Sequence, residues 1–454
     1  MAVCTGRREG IYAGGVSMSL RTHSNRTCIL IVLLSFSLPV SAAAQIISVK
    51  TVPVATGDQF MIFPSRCLGM GGVSIALDDP LLDPFVNPAK GASLQGRHFF
   101  TSLSTYGVSN EGSSGRSFPI GYLIGSDRWF GGGTYTFQQL LPVIPSSGWE
   151  EWAQRLNNGK PLRNSYFSGF IGRRLDNDRA AIGFSMTRAA LSAVEGVSLL
   201  YAGCDEIEQN GTYRDYRLGL TGQLEGERSY ELMLLHTRYH MVHDVRYGSV
   251  WSGTIEQNHD DSRMTGLHAG YTRPSEYDPE LRVGFALSLN VKDMPKIPEY
   301  ELPVGTSAVA AAIPRDPGLT WAWNLGAGLS KHTGPLTFGV ELVFEPVKSN
   351  TWAETEDGVH DYLGRWIPPG GKTIENTFKF SNMHLRLGFD REDTGVVGFQ
   401  LGMQLSLIEY TLAQIDNIAG DFREEREGWW VPPPKGNSLR QLWSACGRSG
   451  NGWR

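Results

Sequence analysis

The chain has 454 residues, of which 54 are glycine, 19% are charged and 41% are hydrophobic. A mean hydropathy of −0.22 excludes a polytopic bundle of membrane helices, and 12 Trp, 16 Tyr and 20 Phe exclude a disordered chain. The formal net charge of −5 argues against a nucleic-acid partner, which would require a basic surface.

Residues 1–44 are interpreted as a signal peptide, in which 1–17 form an extended start and the pattern of an export signal begins at Met18. A flank containing Arg21 comes before the apolar run 28–38, and the small residues 42–44 follow. An apolar run this short does not span a bilayer, which needs about 20 residues. We therefore expect a cleaved signal peptide and localisation in the cell outer membrane, with an uncleaved anchor or a buried helix as the alternatives.

The segment between the signal and the first strand is rich in glycine and in Asx-Pro pairs. Its candidate plug and channel residues are Gly69, Met70, Gly71, Gly72, Asp79, Asn87, Pro88 and Ala89. Glycines allow backbone to approach backbone closely, as a segment packed into a lumen requires, and an Asn-Pro pair ends a regular element. The alternative is a surface loop, because glycine and proline also punctuate loops.

Strict alternation dominates the rest of the chain. In 281–291 and 397–407 every odd residue is large and apolar, whereas the even residues are small or polar. Such runs are about as long as the 9–11 residues of a membrane-spanning strand. The small face suits a crowded lumen, and no amphipathic helices are present to cover the apolar face. The pattern predicts an all-β fold, an antiparallel transmembrane β-barrel in which closure removes free edges.

The alternating runs give about 14 candidate strands. They are 98–106, 117–125, 129–138, 164–173, 178–188, 195–203, 212–223, 228–239, 263–273, 280–291, 320–331, 335–346, 376–390 and 395–411. Tight joins are expected at 176–178, 225–226 and 392–395, long external loops at 140–163, 292–319 and 347–373, and a short amphipathic helix at 149–156. A change in apolar phase near residue 381 suggests a bulge.

The opening Arg66–Gly91, with its Gly-Met-Gly-Gly run, an Asp-Pro and an Asn-Pro-Ala, resembles that of the FadL-like outer-membrane transport family, which includes the PorV-type barrel proteins of type IX secretion. Further similar patches are Leu385–Phe389, Gln404–Tyr410 and Gln414–Asp416. The resemblance implies an N-terminal plug inside a fourteen-stranded barrel. The domains would then be plug 45–97, barrel 98–437 and an atypical C-terminal tail 438–454.

The end of the chain departs from this family. Outer-membrane barrels normally finish on an alternating strand with a terminal aromatic residue, whereas 432–454 does not alternate and ends on Arg454. Either the closing strand lies elsewhere or the reading frame was disturbed near residue 437. The charged run Asp421–Glu427 is interpreted as a solvated face.

Catalytic, metal and cofactor signatures are weak, and we expect no enzyme activity, no metal and no cofactor. Gly371–Thr373 lacks the first glycine of a phosphate-binding loop. On a strand His236 and His240 share a face while His243 points away, so the three do not converge. Ser185 with His268 is a remote hydrolase candidate.

Other conspicuous residues have ordinary structural interpretations. The adjacent acids Asp78 and Asp79 diverge and are interpreted as turn formers. Tryptophans near strand ends are expected to form an interfacial girdle, with a lumenal ligand role as the alternative; they are Trp129, Trp321, Trp323, Trp429 and Trp430.

Two functions follow from the resemblance. The first is passive transport of hydrophobic, fatty-acid-like small molecules past the plug. The second is docking of exported proteins on the loops 292–319 and 347–373. In either case outer-membrane lipid is a partner, and the sequence does not identify the cargo.

Overall fold

The computed structural model describes residues 62–63, 65, 67, 69–107, 114–141, 162–175, 179–192, 206–247, 254–293, 318–355, 357–391 and 399–431. All of them belong to one compact unit, Ala43–Arg454. The signal peptide, the helix expected at 149–156, the joins 176–178 and 392–395, and the tail 438–454 lie outside the described residues.

Seventeen strands lie within the described residues. They are β1 (Gly96–Thr101), β2 (Ser104–Gly107), β3 (Ser114–Gly125), β4 (Trp129–Leu141), β5 (Leu162–Arg174), β6 (Ala180–Leu191), β7 (Glu206–Leu224), β8 (Arg228–Tyr247), β9 (Thr254–Pro274), β10 (Leu281–Asp293), β11 (Gly318–Thr333), β12 (Leu336–Glu354), β13 (Val359–His360), β14 (Trp366–Ile367), β15 (Lys372–Arg391), β16 (Phe399–Asp416) and β17 (Asp421–Val431).

The main sheet follows one antiparallel path of fourteen strands, β1-β3-β4 through β12 and then β15-β16-β17, with β2 also paired to β3 and β13–β14 forming a separate small hairpin. The predicted fold class and strand number are confirmed. The predicted strand 195–203 lies outside the described residues, and β6 pairs directly with β7. The charged run Asp421–Glu427 is not simply a solvated face but lies in β17, which pairs with Ser406–Asp416 of β16.

Several strands extend beyond their apolar runs. Strand β9 begins at Thr254, nine residues before the predicted start at 263, and its polar first half pairs with β8 as far as Tyr247. Likewise β12 continues to Glu354, into the segment expected to be a loop. These extensions carry no apolar alternation because they need no hydrocarbon contact, and the backbone ladder continues through them.

The bulge predicted near residue 381 is absent from the described strands, whereas the tight join predicted at 225–226 is present. The pairing of β15 is continuous through residue 381, so no bulge lies there; the register shifts instead at Ala353/Glu354. The tight join at 225–226 is confirmed. Gly226 and Glu227 both have positive φ, +73° and +57°, which is the twist that joins adjacent antiparallel strands compactly.

The two faces of the sheet differ sharply in chemistry. The outward face exposes large apolar side chains along most of the long strands, including Ile120, Tyr135, Ile171, Phe184, Leu218, Leu234, Leu267, Leu287, Leu325, Leu342 and Leu401. The opposite face buries polar and charged side chains such as Thr136, Asp215, His268, Glu341 and Arg386. This is an apolar-out, polar-in barrel wall. No helix within the described part of the chain is long and apolar enough to cross a membrane.

The chain before β1 fills part of the interior; we call the described residues of 62–94 the plug. It contains a short helix α1 (Asp83–Val86) and a 3₁₀ helix (Pro88–Ser93). Each begins with a proline in its first turn, where no backbone donor is needed. The Asn87 side chain caps the second helix by accepting a hydrogen bond from the Ala89 amide.

The plug shows that the sheet curls into a barrel. Phe63 stacks on Phe85 with centroids 5.1 Å apart, and Phe85 meets Phe100 of β1 edge-on. Six residues after Phe63, the amide of Gly69 donates to Gln400 of β16 at 2.9 Å. Because six residues reach at most about 20 Å, the two ends of the fourteen-strand path lie close together around the plug.

Candidate functional site

The candidate site is the contact between the plug and the barrel wall. From Gly69 onward the plug meets strands in descending order: β16 and β15, then β12, β11 and β10, then β8, β7 and β6, and finally β5 and β3. The predicted plug therefore lies inside the lumen and is not a surface loop.

Gly69, Met70 and Gly71 pack against β15 and β16. A Cβ on Gly71, whose φ is +67°, would lie 2.6 Å from the amide nitrogen of Met403 and 2.8 Å from the carbonyl oxygen of Leu387. A side chain at position 71 is therefore excluded both by strain and by space. Met70 is fully buried with Val73 and Leu77, while Gly72, at φ +85°, turns the chain toward β12.

Glu341 on β12 is the main polar anchor of this part of the plug. One carboxylate oxygen accepts hydrogen bonds from the amides of Ser74 at 2.7 Å and Ile75 at 3.0 Å. The other accepts one from Arg386 of β15 at 2.6 Å. Glu341 and Arg386 are almost completely buried. The carboxylate thus binds the wall and the plug backbone at once, and neither partner is satisfied without it.

Asp79 organises the turn before α1, whereas its neighbour Asp78 points away. The buried Asp79 carboxylate accepts bonds from the Ser65 hydroxyl at 2.5 Å and the Cys67 amide at 3.0 Å, and its second oxygen accepts from the Leu81 and Leu82 amides. Asp78 is exposed and pairs with Arg282 of β10. The expected divergence of these two acids is confirmed.

Asn87 and Lys90 connect the plug to Glu231 of β8. The Asn87 amide donates to Glu231 at 3.0 Å, and Lys90 Nζ lies 3.4 Å from Glu231 and 3.6 Å from Asp83. Burial raises the pKa of Asp83 to about 7, although Lys90 opposes the shift. Burial lowers the pKa of Lys90, but the carboxylates of Asp83 and Glu231 outweigh it and hold that pKa above its usual range.

The wall is shaped to receive this corner of the plug. Gly219 of β7 leaves room for the Asn87 side chain, because a Cβ there would overlap its oxygen. Gly183 of β6 lies against the backbone of Pro88, where a Cβ would come within 2.5 Å of the carbonyl carbon. Ala89 is fully buried. The wall glycines therefore act as sockets for the plug.

A second buried ion pair binds the C-terminal end of α1. Arg217 of β7 bonds Asp215 at 2.6 Å and donates to the carbonyl oxygens of Phe85 and Val86 at 3.3 and 2.8 Å. These are the C-terminal carbonyls that a helix leaves unpaired, and a cation satisfies them well. Sequence reasoning did not select Glu341, Arg386, Glu231 or Arg217; the available signal was a charged residue on the small face of an alternating strand.

Beyond the plug, the inner wall of β5–β8 carries an apolar and aromatic surface. Ala189, Leu191 and Met241 are buried together, and Tyr166, Tyr213 and Tyr239 pack against them; we call these six residues the lumenal apolar patch. Ala189 lies six residues along β6 from the Gly183 socket, about 20 Å at strand rise. The patch therefore faces the lumen on the side of the plug that is away from the short turns.

The remaining sequence candidates do not assemble into reactive sites. His268 Nδ1 is hydrogen bonded to Ser288 at 2.8 Å rather than to Ser185. His236 bonds Thr265 across the strand, and Lys372 of the Gly-Lys-Thr run begins β15. Within the described ranges no three His, Cys, Asp or Glu side chains are arranged to hold a metal ion. Trp129, Trp321 and Trp323 are exposed on the outward face.

No family model and no curated protein matches the chain. Among solved structures, the toluene transporter TodX of Pseudomonas putida is similar at 12% identity and a TM-score of 0.37, over 79% of this chain and 95% of TodX. The FrpB iron transporter of Neisseria meningitidis is similar at 10% identity and a TM-score of 0.33, over 75% of this chain and 62% of FrpB. The siderophore receptor PirA of Acinetobacter baumannii is similar at 8% identity and a TM-score of 0.34, over 73% of this chain and 57% of PirA. The chain thus spans less than two thirds of FrpB and PirA, and the fold assignment rests on the strand pairing itself.

Proposed function

We propose that this protein is an outer-membrane β-barrel that lets hydrophobic small molecules cross passively past its plug. Three features support the proposal: the outward apolar face fits acyl chains, the plug packs against the wall near the short turns, and the lumenal apolar patch presents three partly exposed tyrosines over the buried Ala189, Leu191 and Met241. The patch carries most of the argument, because a barrel that passes only water-soluble solutes has a polar interior.

The mechanism follows from the contacts of the plug. An apolar molecule enters between the long loops and binds the lumenal apolar patch, while the plug closes the path below. The plug is held by an apolar cluster, in which Leu82, Phe85 and Leu94 pack against the wall, and by three polar groups of the wall, Glu341, Glu231 and Arg217. Water entering the lumen would solvate those groups when they separate, so a local shift of the plug costs far less than unfolding of the wall.

The test compares the same substitution at a buried position of the patch and at an exposed position on the outward face. Met241→Gln places an amide in the patch, whereas Met186→Gln makes the same change on the outward face of β6. Uptake of a fluorescent long-chain carboxylate, and of toluene, is measured in liposomes containing the purified barrel. We expect Met241→Gln to weaken binding of these molecules roughly tenfold, because a buried amide without a partner disturbs the packing of the tyrosines that would contact the ligand.

Met186→Gln should bind and transport as the unaltered protein does. Equal behaviour of the two variants, or absence of uptake by the unaltered barrel, would contradict the proposal. Docking of exported proteins stays a prediction, since most of the loop 292–319 lies outside the described residues. Co-purification of exported proteins that is lost when residues 294–317 are shortened, together with no uptake, would favour it instead.

A further inference from the structure

Four arginines form a straight row across neighbouring strands on the outward face. Arg188 of β6 lies directly opposite Arg214 of β7, Arg214 opposite Arg238 of β8, and Arg238 opposite Arg263 of β9. All four side chains are exposed. Because adjacent strands lie about 4.8 Å apart, four guanidinium groups stand side by side; we call them the arginine row.

The row lies at one border of the apolar belt. Below Arg188 on the same face of β6 come Met186, Phe184 and Ile182, all exposed. On β8 the exposed Leu234 and Leu232 lie between Arg238 and Tyr230, and Tyr230 pairs across to Tyr271 of β9.

The height of that belt is close to that of a bilayer. Arg238 and Tyr230 are eight residues apart, about 27 Å along the strand. At the usual strand tilt of about 35–45° this is about 20 Å along the membrane normal, and the apolar band of a membrane barrel is about 25 Å tall. The row therefore lies at the level of the lipid headgroups, on the side of the long loops.

The electrostatics of the row require an anion. Like charges placed directly opposite in a sheet repel each other. Within the described part of the chain, none of the four guanidinium groups has a carboxylate partner within ion-pair distance. Arginine is also the side chain whose planar donors best fit a phosphate group, through two parallel hydrogen bonds. The row thus offers guanidinium donors that form no ion pair at the level where lipid phosphates lie, and the one carboxylate that lines the adjoining groove is that of Asp261.

A groove adjoins the row on its loop side. Arg214, Arg238 and Arg263 line it together with three polar residues one step further from the belt, and its volume is about 310 Å³. Those three residues are Thr212, His240 and Asp261. Hydroxyl, imidazole and carboxylate groups above a line of arginines suit a polar headgroup whose phosphate faces the row.

We propose that the arginine row and its groove bind a phosphorylated lipid of the outer leaflet, with phosphate on the guanidinium groups and acyl chains on the belt below. The inference rests on the membrane placement proposed above. It adds a lipid site on the outside of the wall, separate from the lumenal path.

The experiment compares two double variants of equal charge change. Arg214→Gln/Arg238→Gln removes the middle of the row. Arg116→Gln/Arg163→Gln removes two exposed arginines that lie near the long loops but are separated by Gln139 and so form no row. Binding to the detergent-purified full chain is measured by native mass spectrometry with three probes. They are lipid A, which is a diphosphorylated glycolipid, the dephosphorylated form of lipid A, and inorganic phosphate.

We expect the unaltered protein and the Arg116/Arg163 variant to retain lipid A and to bind the dephosphorylated form at least tenfold more weakly. The Arg214/Arg238 variant should lose at least tenfold in lipid A binding. Equal loss in both variants, no preference for the phosphorylated lipid, or binding of inorganic phosphate alone would overturn the inference. Heat-dependent gel mobility after reconstitution measures membrane insertion independently of lipid A binding. A barrel that inserts without lipid preference therefore refutes this site alone, whereas a chain that never inserts refutes the proposed function as well.

Discussion

The substitution Glu341→Gln tests whether the plug is a reversible element held by the wall. Glu341 accepts two bonds from the plug amides of Ser74 and Ile75 and one from Arg386. Glutamine keeps the size of the side chain and one accepting oxygen. It removes the charge and turns an amide donor toward another donor, so at least one buried partner loses its bond.

The magnitude follows from burial. Removing one member of a buried ion pair costs about 3–5 kcal/mol, and the oxygen that remains places this variant near the lower figure. When the plug is displaced, water reaches Arg386. The free-energy cost of the lost ion pair therefore destabilises only the state in which the plug is docked. A loss of about 3 kcal/mol shifts the equilibrium between docked and displaced plug about 150-fold, because 1.36 kcal/mol corresponds to a factor of ten.

Amide hydrogen exchange measures this shift directly. Exchange at Ser74 and Ile75 should accelerate about 100-fold in Glu341→Gln, because both amides exchange only when the plug leaves the wall. Glu345→Gln is the matched control: Glu345 is buried on the same strand and face, but its partners Asn324 and His384 belong to the wall. Unchanged exchange in Glu341→Gln, or an equal acceleration in Glu345→Gln, would refute the reasoning.

Three further outcomes are expected. Gly219→Ala should lower the thermal transition of the plug, because its Cβ overlaps Asn87, whereas Gly169→Ala, with its nearest neighbour 3.7 Å away, should not; equal effects in calorimetry would contradict the socket. The pKa of Asp83 is raised to about 7, so its contribution to plug docking is complete below its ordinary value near 4 and is lost as the pH rises through 7. Asp83→Asn should abolish that pH dependence of Ser74 exchange, and a variant that keeps it would exclude Asp83 as its source. Leu234→Arg, at the middle of the apolar belt, should cost about 2–4 kcal/mol in liposomes; a urea transition unchanged from the unaltered protein would place that face in water.

The strands of the belt were predictable because their period is fixed by contact with hydrocarbon. Every odd residue of 281–291 is apolar, and the structure places Phe285, Leu287 and Leu289 on the outward face. The plug was predictable from its glycines and Asn87-Pro88, since close packing leaves a clear mark in composition. The part of β9 before residue 263 was missed because strands outside the belt need only backbone pairing.

The anchoring charges could not be predicted for a different reason. Glu341 and Ser74 are 267 residues apart, and their meeting depends on the register of every strand between the plug and β12. A single carboxylate on an inner face indicates a buried charge but not its partner. Only the assembled wall shows that Glu341, Glu231 and Arg217 all turn toward the same short segment.

The order in which the plug meets the wall has a consequence for biogenesis. Neighbouring strands of the long path from β3 to β12 are also neighbours in the chain, so hairpins can be added one at a time with little loss of chain entropy. The contact of Gly69 with Gln400 spans 331 residues and can form only after nearly the whole wall exists. The N-terminal segment therefore cannot complete its contacts until the last hairpins have been added to the wall. A chain truncated before β16 would lack the contact between Gly69 and Gln400.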